Sequence, residues 1–259
     1  MAIDELAPAS RADRYDAAEW ETRVELAACY RLVAMYGMSD LVYNHITARV
    51  PGRHDQFLIN SYGYLYEEIT ASSLHKIDLD GNIVERADSP YGVNQAGFVI
   101  HSAVHAARPD VTCVLHTHAR ASMAVSMMEC GLLPLSQHAM RFYHDVAYHP
   151  YEGVALELDE RERLIDDLGD KNVMFLQNHG LLICGTSIAE AFNKCYWVEM
   201  ACKAQIDAMS SGTPLITPPL EVIEKTAYLY DPEVRRRYGE MEWPAMLRRV
   251  DRVDPSYRS

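Results

Sequence analysis

Apolar residues recur at helical spacing in four stretches of the chain. The first stretch meets Gly37, which favours a helix end, and the second stops before Pro109, which disfavours helix in the residue ahead of it. Ser187-x-x-Glu190 has the spacing of a capping box and predicts the start of a long helix. The predicted helices span residues 17–38, 95–107, 119–128 and 187–210.

Short apolar and β-branched runs between these helices predict strands. Asp80-Gly81 is a strong hairpin signal, because these two residues suit the backbone of a tight turn. The predicted strands cover residues 46–50, 57–60, 77–84 (folded back on itself), 111–118, 173–176 and 181–184. Because helices and strands are interleaved, we predict an α/β fold, an α/β sandwich whose central mixed β-sheet is covered by helices.

Length and composition indicate one main globular domain. A chain of 259 residues is compatible with a single hydrophobic core. After Gly212 the sequence becomes rich in proline and aromatic residues. We therefore expect a flexible N-terminus over residues 1–16, the main domain over 17–212, and a C-terminal extension over 213–259 that packs on its own or a neighbouring subunit.

Charge and hydropathy argue against two classes of partner. The formal net charge of -13 disfavours nucleic acid, since binding a phosphate backbone requires clustered Lys and Arg. The sequence has no run of about 18 apolar residues and no apolar stretch typical of a secretory signal. We expect a cytoplasmic protein with no nucleic-acid or membrane partner. Its six cysteines form no Cys-x-x-Cys pair and are expected to be reduced.

Three histidines form a candidate metal site. His116 and His118 end an apolar strand, and because side chains alternate along a strand, both imidazoles project from the same face. His179 lies between Asn178 and Gly180 in a predicted tight turn. Three neutral imidazoles with open positions are typical of a catalytic site for a divalent ion, with Zn²⁺ favoured and Mn²⁺ or Fe²⁺ as alternatives.

The stretches around these histidines resemble the class II aldolase/adducin superfamily. The resemblance covers most of the chain between about Trp20 and Ser210, and is most specific in NQAGFVIHSAVHAARPDVTCVLHTHARASMAVS (94–126), CGLLP (130–134), QNHGLLICG (177–185) and AEAF (189–192). It implies an α/β sandwich, a homo-oligomer that is usually a tetramer with its site near the subunit interface, and a small-molecule substrate. It also implies a divalent metal held at His116, His118 and His179. Asn44 and Gly63 match the family's substrate-binding loops.

Two departures from the family pattern concern the substrate. Sugar-phosphate aldolases of the family carry a catalytic Glu where this sequence has Gly97, and two phosphate-binding serines where it has Gln95 and Ala96. The resemblance therefore implies a substrate without phosphate, with Gln95 as a candidate contact. We predict a metal-dependent lyase that performs aldol-type cleavage or decarboxylation of a hydroxy-carbonyl compound.

A group other than the missing Glu must then move the proton. Candidates cluster in the segment 137–149, which we expect to be a loop. Residues 136–143 fall roughly where the aldolases place a catalytic Tyr on a loop that reaches toward the site. His138 is the first candidate for proton transfer, and Tyr143 is the second. Arg141 is a candidate for binding a substrate carboxylate bidentately.

Two other functions stay open at this point. Adducin shares the histidine pattern but serves cytoskeletal assembly, so three histidines do not prove turnover. Adducin continues into a tail with a basic end, whereas this sequence ends at Ser259 with an acidic balance, which favours an enzyme. A non-haem iron oxygenase is the other alternative, because a three-histidine centre leaves room for O₂. Metal and oxygen dependence would separate the oxygenase from the lyase.

Overall fold

A computed structural model describes residues 14–153 and 158–259, without the side chains of residues 95, 96, 158 and 159. The predicted flexible N-terminus thus lies outside the described residues as far as residue 13. The helices are α1 (Ala17–Met35), α2 (Gln95–Ala107), α3 (Arg120–Ser126), α4 (Gln137–Met140), α5 (Leu158–Leu168), α6 (Ile188–Ser210), α7 (Leu220–Tyr230) and α8 (Trp243–Val253). The strands are β1 (His45–Arg49), β2 (Gln56–Asn60), β3 (Leu74–Asp78), β4 (Ile83–Glu85), β5 (Cys113–Thr117), β6 (Val146–His149), β7 (Val173–Leu176) and β8 (Gly180–Gly185).

The strands form one mixed sheet in the order β4-β3-β2-β1-β5-β8-β7-β6. Its neighbouring strands are antiparallel except for the parallel pair β6 and β7. Alternating residues of a strand point to opposite faces. In β8, Leu181 and Ile183 join the core beneath α1, α3 and α6, whereas Leu182 and Cys184 join the core beneath α2 and α5. Helices cover both faces, which confirms the predicted α/β sandwich.

Most predicted elements are present, and the differences have physical reasons. The first helix ends at Met35, ahead of Gly37, whose φ of +67° suits glycine. Helix α5 was not predicted, because charged residues dominate its sequence and hide the buried Leu164 and Leu168. The segment 137–149 is not a continuous loop, since it contains α4 and β6.

The C-terminal helices contact earlier helices of the same chain, as two hydrogen bonds illustrate. Gln137 Nε2 donates a 2.8 Å hydrogen bond to the hydroxyl of Tyr230, which connects α4 to α7. Trp243 Nε1 donates a 3.0 Å hydrogen bond to Glu25 of α1, and Trp243 is buried. Within the described part of the chain, no helix combines the length and hydropathy needed to span a bilayer.

Tyr30 of α1 inserts its hydroxyl between β1 and β2. The hydroxyl accepts hydrogen bonds from the Ile46 N–H (2.8 Å) and the Asn60 N–H (3.3 Å). It donates to the Ile46 carbonyl at 2.5 Å or to Asn60 Oδ1 at 2.9 Å. Tyr30 is fully buried, so none of these groups has water as a substitute. This hydroxyl therefore fixes the start of β1.

We predict that Tyr30→Phe lowers the free energy of unfolding by about 1–3 kcal/mol, because it leaves buried backbone groups without a partner. Tyr66→Phe is the matched control. Tyr66 is equally buried, but its hydroxyl has no hydrogen-bond partner, so its removal should cost little. Chemical denaturation of both variants measures the difference, and equal losses of stability would contradict this role of Tyr30.

Candidate metal centre

The structure brings His116, His118 and His179 together at one end of β5. One ring nitrogen of each histidine lies within 4.8 Å of those of the other two. The ring centroids are 4.8 to 4.9 Å apart. His116 is the last but one residue of β5, His118 follows the strand, and His179 occupies the turn between β7 and β8. Because β5 pairs with β8, this turn lies beside the end of β5.

Hydrogen bonds to the outer nitrogens determine where the protons of two rings lie. His116 Nδ1 is 3.0 Å from the carbonyl oxygen of Leu181, which only accepts, so this nitrogen must be the donor. His118 Nδ1 is 3.0 Å from Asp40 Oδ2 and donates to the carboxylate in the same way. In the neutral rings both Nε2 atoms then carry a lone pair. Such outer-shell partners are typical of metal-binding histidines.

The two Nε2 atoms face each other at 3.1 Å. Two lone pairs at that distance repel each other unless a cation lies between or beside them. Burial, followed by the neighbouring histidines, lowers the pKa of His116 well below its usual value. Burial and His118 lower the pKa of His179 to about 4. His116 and His179 are therefore neutral at pH 7. The three-imidazole donor set fits a divalent cation of the zinc type.

The turn that carries His179 depends on two special backbone positions. Asn178 has a φ of +57°, a left-handed conformation that Asn tolerates better than most residues. A Cβ atom on Gly180 would lie 2.5 Å from the carbonyl oxygen of Thr117, so only glycine allows the turn to approach β5 this closely. These residues hold His179 against the other two histidines.

The three histidines line a cavity of about 330 Å³. This volume suits a small organic molecule. Three tyrosines provide aromatic walls, and neither Lys nor Arg is among the described residues that line the cavity. The other lining residues are Tyr43, Asn44, His45, Tyr62, Asn94, Gly97, Ile100, Tyr151 and Gly153.

The predicted substrate-binding residues take different positions. Asn44 lines the cavity, where its Oδ1 accepts a 3.2 Å hydrogen bond from the His118 N–H and its buried Nδ2 has no partner. Gly63 does not line the cavity, but it follows Tyr62, which does. A Cβ atom on Gly63 would lie 2.7 Å from the ring of Tyr91. The side chain of Gln95 lies outside the described residues.

None of the three candidate residues from segment 137–149 lines the cavity of its own chain. These residues are His138, Arg141 and Tyr143. The His138 ring packs on Trp197 at a centroid distance of 4.2 Å. The Arg141 guanidinium lies between Trp197 and Tyr230, at 4.6 and 4.2 Å from the ring centroids. Tyr143 is 37 % exposed. Burial and the charge of Arg141 lower the pKa of His138.

Two residues at the site were not singled out in the sequence. Asp40 contacts His118, and His45 lines the cavity beside His116. No local motif marks Asp40. His45 follows the substrate-loop Asn44, but its position beside His116 becomes visible only once β1 is paired with β5.

His101 and His105 belong to the core beneath α2. His101 Nδ1 and His105 Nε2 are each 2.8 Å from the hydroxyl of Thr47 in β1. Both histidines are buried. Both residues are therefore hydrogen-bonded residues of the core.

Comparisons with known proteins agree with this architecture. The family model "Class II Aldolase and Adducin N-terminal domain" matches residues 24–206. The crystal structure of an aldolase II superfamily protein from Pseudomonas syringae is 50 % identical, covers 96 % of this chain and 99 % of its own, and superposes with a TM-score of 0.90. An L-fuculose 1-phosphate aldolase from Glaciozyma antarctica PI12 is 27 % identical, with 93 % of each chain covered and a TM-score of 0.82.

Alpha-adducin from Mus musculus is 42 % identical over 92 % of this chain. The match spans only 34 % of the length of alpha-adducin. Similarity thus extends both to a protein named for catalysis and to one named as an adducin. The length of the family match and the shared fold show that this chain belongs to the class II aldolase/adducin superfamily.

Proposed function

We propose that this chain is a divalent-metal-dependent lyase that acts on a small, non-phosphorylated hydroxy-carbonyl compound by aldol-type cleavage or decarboxylation. The observation that carries the proposal is the pair of facing Nε2 atoms of His116 and His118, whose Nδ1 atoms are already engaged as donors. Zn²⁺ is the favoured ion, with Mn²⁺ or Fe²⁺ as alternatives. We also propose a cytoplasmic homo-oligomer, a tetramer by family resemblance.

The residues of the chain have separable tasks in this reaction. A divalent cation at the three histidines would act as a Lewis acid that polarises a carbonyl and stabilises the charge left when the neighbouring bond breaks. Asp40 holds the His118 ring through its Nδ1–H, and the Leu181 carbonyl does the same for His116. The amide of Asn44, next to His118, is available to orient a substrate oxygen.

The proton-transfer group is proposed to come from a neighbouring subunit. His138 and Tyr143 remain the candidates for that role, and Arg141 remains the candidate for a substrate carboxylate. Because none of them lines the cavity of its own chain, each would have to reach the cavity of another copy. This requirement agrees with the proposed oligomer and its site near the subunit interface.

The lack of basic side chains among the described cavity residues supports a non-phosphorylated substrate. Proteins bind phosphate groups mainly through Arg, Lys and backbone N–H groups. Among the described cavity residues there is no Arg or Lys. Gly97 also lines the cavity at the position where the family's sugar-phosphate aldolases carry the Glu.

Alternative functions rest on two observations. Among the described residues the donor set contains three histidines, and Asp40 contacts the outer nitrogen of His118. Imidazole ligands also suit Fe²⁺, and three of them leave positions open for O₂, as an oxygenase requires. The 42 % identity to alpha-adducin supports an interaction protein without turnover. Stoichiometric metal separates the enzymes from a metal-free interaction protein, and oxygen dependence separates the two enzymes.

We predict that His179→Ala abolishes stoichiometric metal while leaving the fold intact, because His179 lies in a turn outside the strand ladders. The metal content of dialysed protein, measured by plasma mass spectrometry, should fall from one ion per chain toward zero. His138→Ala is the matched control, since His138 lies outside the cavity and should leave the metal content unchanged. Wild-type protein without metal after growth in Zn²⁺ would overturn the metal centre.

We also predict turnover of non-phosphorylated hydroxy-keto acids under anaerobic conditions with Zn²⁺ or Mn²⁺. Released aldehyde or CO₂ from a panel of such compounds, with aromatic hydroxy compounds included, is the measurement. L-Fuculose 1-phosphate is the control and should be a poor substrate. Efficient cleavage of that control would refute the inference about phosphate, and activity that requires Fe²⁺ and consumes O₂ would favour the oxygenase.

A further inference from the structure

His45 lies in the cavity wall next to the three histidines. In the antiparallel pair of β1 and β5 it is the direct partner of His116, so the two side chains project from the same face of the sheet. Their ring centroids are 5.6 Å apart. His45 is only 4 % exposed, and yet it lines the cavity.

The ring of His45 has unused hydrogen-bonding capacity. The backbone of Asn44 and Gly97 lies near the ring, but within the described part of the chain neither Nδ1 nor Nε2 makes a hydrogen bond of ordinary geometry. Buried polar atoms without a partner are rare in folded proteins and are costly. Asn44 Nδ2, on the adjacent residue, is also buried without a partner. Two neighbouring polar side chains of the same cavity therefore lack partners from the described chain.

Gly97 makes room for this ring. A Cβ atom on Gly97 would overlap Cε1, Nδ1 and Nε2 of His45. Helix α2 passes over the face of the sheet from which His45 projects, and His101 of the same helix also packs against the ring, at a centroid distance of 4.2 Å. Any side chain at position 97 would thus displace the ring from the cavity wall.

We propose that His45 is a substrate-binding residue, whose ring forms a hydrogen bond with an oxygen of a hydroxy-carbonyl ligand held at the three histidines, and that Gly97 positions this ring. The inference rests on the proposed function and names a contact for its substrate. A neutral imidazole offers one donor and one acceptor, which matches a hydroxyl group. His45 and Asn44 lie side by side in the wall of a cavity that is also lined by three tyrosines.

Calorimetric titration of the Zn²⁺-loaded protein with glycolohydroxamate tests the proposal. This probe chelates the ion and carries a hydroxyl group, and its binding does not require turnover. His45→Phe keeps an aromatic ring and removes both nitrogens, so the probe should bind about tenfold more weakly at unchanged metal content. Stability should be unchanged or higher, because the lost nitrogens had no partner. His105→Phe is the matched control and should keep the affinity while lowering stability, because it loses its bond to Thr47.

Gly97→Ala supplies a second, independent variant. It should weaken binding of the probe about as much as His45→Phe does, because the added Cβ displaces the ring. In a His45→Ala background, Gly97→Ala should have no further effect on affinity, since the two residues act as one unit.

The possible outcomes distinguish failure of the His45 assignment from failure of the proposed function. If the protein holds metal and the probe, but His45→Phe leaves the affinity unchanged, the assignment of His45 is wrong and the proposed function survives. If His45→Phe lowers stability without affecting affinity, the ring is only structural. If the protein binds no metal, the proposed function fails and this inference fails with it.

Discussion

The approach of two imidazole lone pairs to 3.1 Å is the constraint on which the rest of the site depends. As long as both rings are neutral, neither His116 nor His118 can turn the lone pair of Nε2 into a donor without giving up its hydrogen bond to Leu181 or Asp40. The fold therefore holds these two atoms in a repulsive arrangement that a cation relieves. His179 completes the set from a turn that only Asn and Gly residues make accessible.

The polar groups of the protein interior fall into two classes. Thr47 engages two core histidines, and Tyr30 engages the backbone of two strands, so these groups stabilise the fold. Asn44 Nδ2 and both ring nitrogens of His45 have no partner and lie at the cavity. Buried polar atoms without a partner lower the stability of the fold. A ligand that forms hydrogen bonds with these atoms binds more tightly because of them.

Local sequence signals predicted the elements that carry their own pattern. Helix α2 agrees in both bounds, and the turn around His179 was visible from its Asn and Gly neighbours. Asp40 and His45 were missed because their roles arise from contacts between segments far apart in the sequence. The register of β1 against β5 places His45 opposite His116, and periodicity within one strand does not contain that register. Packing likewise determines how His138 and Tyr143 lie relative to the cavity of their own chain. Their position relative to the cavity of a second subunit depends on assembly.

X-ray absorption at the zinc edge of the loaded protein tests the central claim most directly, because it counts the imidazoles around the ion. Three histidine nitrogens at about 2.0–2.1 Å, together with the outer-shell scattering of their rings, are the predicted result. The His179→Ala protein, reconstituted with excess Zn²⁺, should show one imidazole fewer. A spectrum of the wild type that contains fewer than three imidazoles, or that is dominated by sulfur ligands, would contradict a shared centre at His116, His118 and His179.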